Sequence, residues 1–202
     1  LHYAHSMGFV HCDIKPANIM LDKYGEVRLA DFGIARVTDA ATATMIGAGT
    51  PAYMAPEQIK GQDPIPQTDI YALGIVLFEM LTGGERPFVG ELAEITGSTS
   101  EKVRWEQMRL QPPSMKKWNP NITAELDALV QKCLKKDSKE RYQTPLGLLN
   151  AFERAISVDV VPVVQNVPVQ EPASPPPIQP QVPPLPVQQP VKAQEPVREV
   201  LK

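Results

Sequence analysis

Cysteine is scarce, with only Cys12 and Cys133 in 202 residues. Two cysteines build no disulfide framework, so a reducing compartment is the expectation. No long apolar run exists either. The longest, Ile70 to Phe78, falls far short of the roughly 20 residues a membrane span needs. The N-terminus lacks the basic-then-apolar pattern of a secretory signal. Cytoplasmic residence is therefore the expectation, with membrane attachment elsewhere in a longer protein left open. Leu1 in place of Met suggests that the natural N-terminus lies upstream. No charge of one sign dominates. The net charge is -3, which argues against a basic nucleic-acid surface and against charge-driven binding to membranes.

Two further absences divide the chain. The last 45 residues contain no glycine and no aromatic residue, yet they hold 12 of the 22 prolines. That composition cannot pack a core. The expected organisation is a folded domain over 1–157 and a disordered Pro/Val/Gln-rich tail over 158–202. Pro177, Pro180, Pro183 and Pro186 recur every third residue. A polyproline II helix has three residues per turn, so these four would line one edge. The tail reads either as an extended linker or as a ligand for a partner that binds Pro-rich motifs.

The body reads as mainly α. Leu1 to Phe9 resembles the end of a helix, stopped near Gly8. Ile19–Leu21 and Val27–Leu29 flank a turn at Asp22-Lys23-Tyr24-Gly25 and predict a small β-hairpin. Asp31 to Glu57 reads as one long loop. Asp69 to Leu81 is apolar on nearly every side, as a buried helix is. Glu101 to Met108 predicts a short helix. In Ala124 to Lys135, apolar residues stand at Leu126, Leu129, Val130, Cys133 and Leu134, the spacing of an amphipathic helix, with Thr123 as its N-cap. Pro145 to Ile156 predicts the last helix.

One segment concentrates chemistry. His11-Cys12-Asp13-Ile14-Lys15-Pro16-Ala17-Asn18 sets a carboxylate, a cation and an amide in one loop, and Asp31-Phe32-Gly33 follows. Phosphoryl transfer needs such parts: a group to hold the attacking hydroxyl, oxygen ligands for Mg²⁺, and a cation for the moving charge.

These residues resemble the C-terminal lobe of a eukaryotic-type (Hanks-type) Ser/Thr protein kinase. The catalytic-loop pattern H-R-D-x-K-x-x-N reads here as H-C-D-I-K-P-A-N. D-F-G is intact, and A-P-E is Ala55-Pro56-Glu57. Asp69 and Arg141 stand where the family has its buried-helix Asp and its late Arg. The chain style resembles bacterial eukaryotic-like kinases. The resemblance implies the large lobe of the α+β kinase fold, ATP and Mg²⁺ as cofactors, and a protein carrying Ser or Thr as substrate. It implies Asp13 and Lys15 as catalytic residues, Asn18 and Asp31 as metal ligands, and Thr50 in the wall that receives the residue after the phosphoacceptor. His11, Gly33, Glu57, Asp69 and Arg141 would be structural, with Glu57 and Arg141 paired in the interior.

The sequence also departs from the family. Cys12 replaces the Arg that pairs with a phosphorylated activation loop, and a neutral thiol makes no such bond. Thr38, Thr42 and Thr44 read either as autophosphorylation sites or as ordinary loop residues. The Gly-rich phosphate loop, the ATP-anchoring Lys and its Glu partner of the family's small lobe are not among the 202 residues. The 202 residues alone are therefore expected to transfer phosphate poorly. The alternative is a catalytically silent kinase-like module that presents the Pro-rich tail. A Mg-dependent phosphohydrolase is far less consistent, because no second carboxylate cluster accompanies the site.

Overall fold

The computed structural model describes residues 1–31, the backbone of 36–37, and 51–157. The expected tail at 158–202 lies outside them. About half of the described residues are helical, and they belong to one compact unit, Leu1–Pro162. The elements are α1 (His2–Ser6), β1 (Phe9–Val10), β2 (Ile19–Leu21), β3 (Val27–Leu29), β4 (Arg36–Val37), α2 (Pro56–Ile59), α3 (Pro66–Thr82), α4 (Thr99–Arg109), α5 (Ala124–Cys133) and α6 (Pro145–Ser157).

The expected hairpin is present. β2 and β3 pair antiparallel, with Met20 opposite Arg28. Asp22 makes the turn, because its Oδ1 accepts the amides of Tyr24 (2.9 Å) and Glu26 (3.0 Å). A second pairing was not expected. β1 and β4 join antiparallel, with Phe9 opposite Val37. The stretch read as one loop from Asp31 to Glu57 thus contains a strand, a 3-10 turn at Pro51–Tyr53 and the start of α2. Two-residue strands are too short to show the period-2 alternation that marks a strand in sequence.

Helix α3 is the axis of the core. Ile70, Tyr71, Ile75 and Phe78 are wholly buried. Burial is not all-round: Leu73, Leu77 and Leu81 are half-buried, and Met80 faces solvent. Gly83 ends the helix in the left-handed region (φ 79°), and its amide returns to the Glu79 carbonyl. Helix α5 crosses so close that a Cβ at Gly74 would lie 2.6 Å from the Cβ of Cys133. Glycine is required there by packing. The apolar stripe of α5 meets α3 as its spacing predicts, and Thr123 accepts the Leu126 amide (3.1 Å). Helix α4 starts two residues before its predicted start. Ser98 and Glu101 form a reciprocal cap, with Ser98 Oγ accepting the Glu101 amide (3.3 Å) and Glu101 Oε2 accepting the Ser98 amide (2.7 Å). Phe78 and Trp118 meet edge to face, with ring centroids 5.7 Å apart.

Past α5, Lys136 sends its amine inward against the rings of Phe88 (4.2 Å) and Tyr71 (5.8 Å). Its Nζ is buried without a hydrogen-bond partner among the described residues. Burial, and then the charge of Arg141, lower its pKa to about 7 from 10.5. Between those two values the unfolded chain binds more protons than the folded one, so stability rises with pH from about 7 to about 10. Lys136→Met is expected to stabilise the protein at pH 7 and to lose that advantage towards pH 10. Urea unfolding at both pH values checks this, and an advantage that grows with pH would contradict it.

Candidate functional site

The N-terminus of α3 organises the site. Asp69 lies in its first turn, fully buried, where the helix dipole favours a carboxylate. Oδ2 accepts the His11 amide (2.8 Å), and Oδ1 accepts the Cys12 amide (2.9 Å). His5 Nε2, from α1, sits 2.7 Å from the same Oδ2. One buried carboxylate therefore ties α1, the segment after β1 and α3 together. His11 is fully buried, with Nε2 2.9 Å from the Ala30 carbonyl.

Cys12 adopts φ 69°, a left-handed conformation uncommon for a side chain that is not Gly, Asn or Asp. Its main chain is held on both sides, because Gln58 Nε2 donates to the Cys12 carbonyl (2.8 Å). The thiol lies 3.4 Å from the Val10 carbonyl. This reversal turns the next residue, Asp13, towards Lys15 and Asn18. Lys15 Nζ donates to Asp13 Oδ2 at 2.7 Å. Asn18 Nδ2 donates to the same oxygen at 3.1 Å and to the Asp13 carbonyl at 2.8 Å. With its NH₂ so engaged, Asn18 keeps its Oδ1 as a spare ligand. Asn18 is buried and Asp13 half-buried. A 3-10 turn over Pro16–Asn18 fixes the spacing between them.

Asp31 is exposed and, like Cys12, left-handed (φ 67°). The adjoining Ala30 amide donates to the Asn18 carbonyl (2.8 Å), which ties the two segments together. One amide oxygen and one carboxylate match the way Mg²⁺ is usually held, by few protein oxygens plus water and phosphate. Among the described residues no group of three or more His, Cys, Asp or Glu side chains could hold a metal by itself. Gly33, Thr38, Thr42, Thr44 and Thr50 lie outside the described residues.

Glu57 and Arg141 meet in a two-pronged pair. Nη1 donates to Oε1 (2.7 Å) and Nη2 to Oε2 (2.8 Å). Arg141 also donates to the carbonyls of Lys135, Gln67 and Lys136, and the Thr68 hydroxyl donates to Glu57 (2.9 Å). Burial pushes the Glu57 carboxyl up. Arg141, by hydrogen bond and charge, and Thr68 outweigh this and hold it below its usual value of 4.5. Sequence reasoning did not find His5, Gln58 or Thr68. Single hydrogen bonds across long separations leave no periodic signal.

Comparison with known proteins gives a consistent result. Residues 1–151 match the protein kinase domain family. The chain is 41% identical over 150 residues to a probable serine/threonine-protein kinase of Streptomyces coelicolor, covering 71% of this chain and 21% of that protein. It is 39% identical over 148 residues to the serine/threonine-protein kinase PknB of Mycolicibacterium smegmatis, covering 71% and 22%. It is 39% identical over 159 residues to the serine/threonine-protein kinase PrkC of Bacillus subtilis, covering 78% and 23%. The chain spans about a fifth of the length of these relatives.

Arg141→Met would strand a buried carboxylate, at an expected cost of about 3–5 kcal/mol. Arg141→Lys should recover little, since one ammonium cannot replace the planar fork. Because the Glu57 pKa is depressed, its contribution is present above 4.5 and is lost as pH falls below that value. Chemical denaturation from pH 7 to pH 3 should show a steeper loss in wild type than in Arg141→Met. Equal slopes would mean that the pair contributes nothing.

Proposed function

Because the chain belongs to the protein kinase domain family, we propose that residues 1–157 form the large lobe of a protein Ser/Thr kinase of the bacterial eukaryotic-like type. The lobe would transfer the γ-phosphate of ATP to Ser or Thr hydroxyls of a protein, and residues 158–202 would be a Pro-rich tail or linker. The observation that carries this reading is the cluster of Asp13, Lys15 and Asn18, held on the Asp69 carboxylate.

In this reading Asp13 aligns the substrate hydroxyl and accepts its proton. Oδ2 already takes two donors, and among the described residues none donates to Oδ1, which leaves that oxygen for the hydroxyl. Lys15, now paired with Asp13, would reach the transferred phosphoryl group and offset its charge. Asn18 Oδ1 and the Asp31 carboxylate would hold Mg²⁺, which neutralises phosphate charge when bound. Their short carbon skeletons and the Ala30–Asn18 hydrogen bond keep the two ligands on adjoining backbone.

A second reading, a silent kinase-like module, draws on the proline array from Pro177 to Pro186. It predicts a tail-dependent partner whose binding ignores ATP and ignores Asp13→Asn. No helix among the described residues is long and apolar enough to cross a membrane.

In a protein that includes the family's small lobe, Asp13→Asn should lower kcat by at least about 100-fold while ATP binding persists, as expected for the loss of a general base. The 202 residues alone should show little Mg-ATP-dependent transfer. Robust turnover by them, or an active Asp13→Asn variant, would overturn this account. Cys12 offers no cation for a phosphorylated loop, so loop phosphorylation does not act through it. Replacing both Thr42 and Thr44 by Ala should leave most activity, measured by peptide phosphorylation, and abolition would argue the reverse.

A further inference from the structure

Gln107 is fully buried on α4. Its Nε2 donates to the carbonyl of Pro51, while its Oε1 is buried with no partner among the described residues. A buried amide satisfied at one end is a poor space-filler. Met would occupy similar volume without an orphaned acceptor. What the amide contributes is its donor.

The carbonyl it holds opens the Pro51–Tyr53 turn and also accepts the Met54 amide (3.3 Å). At the other end of the turn, the Tyr53 hydroxyl donates to Glu79 of α3 (2.7 Å). Burial, and then Glu79 as acceptor and as negative charge, raise that hydroxyl's pKa to about 12, so it stays a donor. Two helices thus grip one short turn, α4 at its start and α3 at its end. The turn directly follows Thr50, which the family resemblance places in the peptide-receiving wall.

We infer that Gln107 is a positioning residue for the peptide substrate: its side-chain donor fixes the Pro51–Tyr53 turn, and so sets selectivity for the residue that follows the phosphoacceptor. The inference rests on the kinase reading, and its test has one arm that does not.

Gln107→Met is the variant. It removes the donor together with the orphaned acceptor, so Tm should stay within about 3 °C of wild type. In the 202-residue chain, hydrogen exchange at the Met54 amide should quicken about 10-fold, while α3 amides are unchanged. In a protein that includes the family's small lobe, KM for a peptide substrate should rise about 10-fold, with kcat and KM for ATP within about twofold. A peptide series varied only at the position after the phosphoacceptor should lose its rank order. Unchanged Met54 exchange overturns the tether. Unchanged peptide KM and rank order, or kcat and ATP KM moving with peptide KM, overturn the substrate role. A wild-type protein that phosphorylates no peptide overturns the kinase reading and the substrate role with it, and the exchange arm alone then decides the tether.

Discussion

A single buried carboxylate sets the geometry on which this molecule depends. Asp69 has no solvent to satisfy it, and a buried ion without partners is very costly. The cost is offset by the α3 N-terminus behind it and by donors in front: the amides of His11 and Cys12 and the ring of His5. Satisfying Asp69 forces the backbone at Cys12 into its left-handed conformation. That reversal then delivers Asp13 into the reach of Lys15 and Asn18. The cluster of Asp13, Lys15 and Asn18 is thus built on α3, a helix whose core residues Ile70, Tyr71, Ile75 and Phe78 are wholly buried.

A second charged centre works on the same helix from the other side. The Glu57–Arg141 pair joins α2 to the segment between α5 and α6, and Gln67 and Thr68 at the head of α3 bond to it. Next along α2, Gln58 holds the Cys12 carbonyl. The loop carrying Asp13 is therefore gripped by Asp69 through two amides and by α2 through a carbonyl. The two charged centres are not independent. Each fixes a neighbour of the other, so damage to the Glu57–Arg141 pair should reach the Asp13 loop by way of α2.

Much of this was legible in the sequence, for definable reasons. The all-apolar run of α3, the stripe of α5 and the Asp-Lys-Tyr-Gly turn are local patterns, and local patterns survive folding. The motifs from His11 to Arg141 stand in the family's order, and residue identity at fixed order is read directly from a sequence. What escaped was non-local. The β1–β4 pairing joins two-residue segments. His5, Gln58, Thr68 and Gln107 act through one or two hydrogen bonds each, on helices whose patterns look ordinary. Positive φ at Cys12 goes with the tertiary hydrogen bonds to its amide and carbonyl, against the preference of a cysteine. The early start of α4 follows from Ser98, an N-cap whose Glu101 partner lies three residues on.

The most direct measurement is hydrogen exchange at the His11 and Cys12 amides, in wild type and in Asp69→Asn. The neutral amide keeps one acceptor oxygen and turns an NH₂ towards the other donor. The account predicts that in wild type both amides exchange only through global unfolding. In Asp69→Asn, at least one should lose on the order of 100-fold protection while the centre of α3 remains protected. Fast exchange of both amides in wild type, or unchanged protection in the variant, would show that Asp69 does not hold the loop.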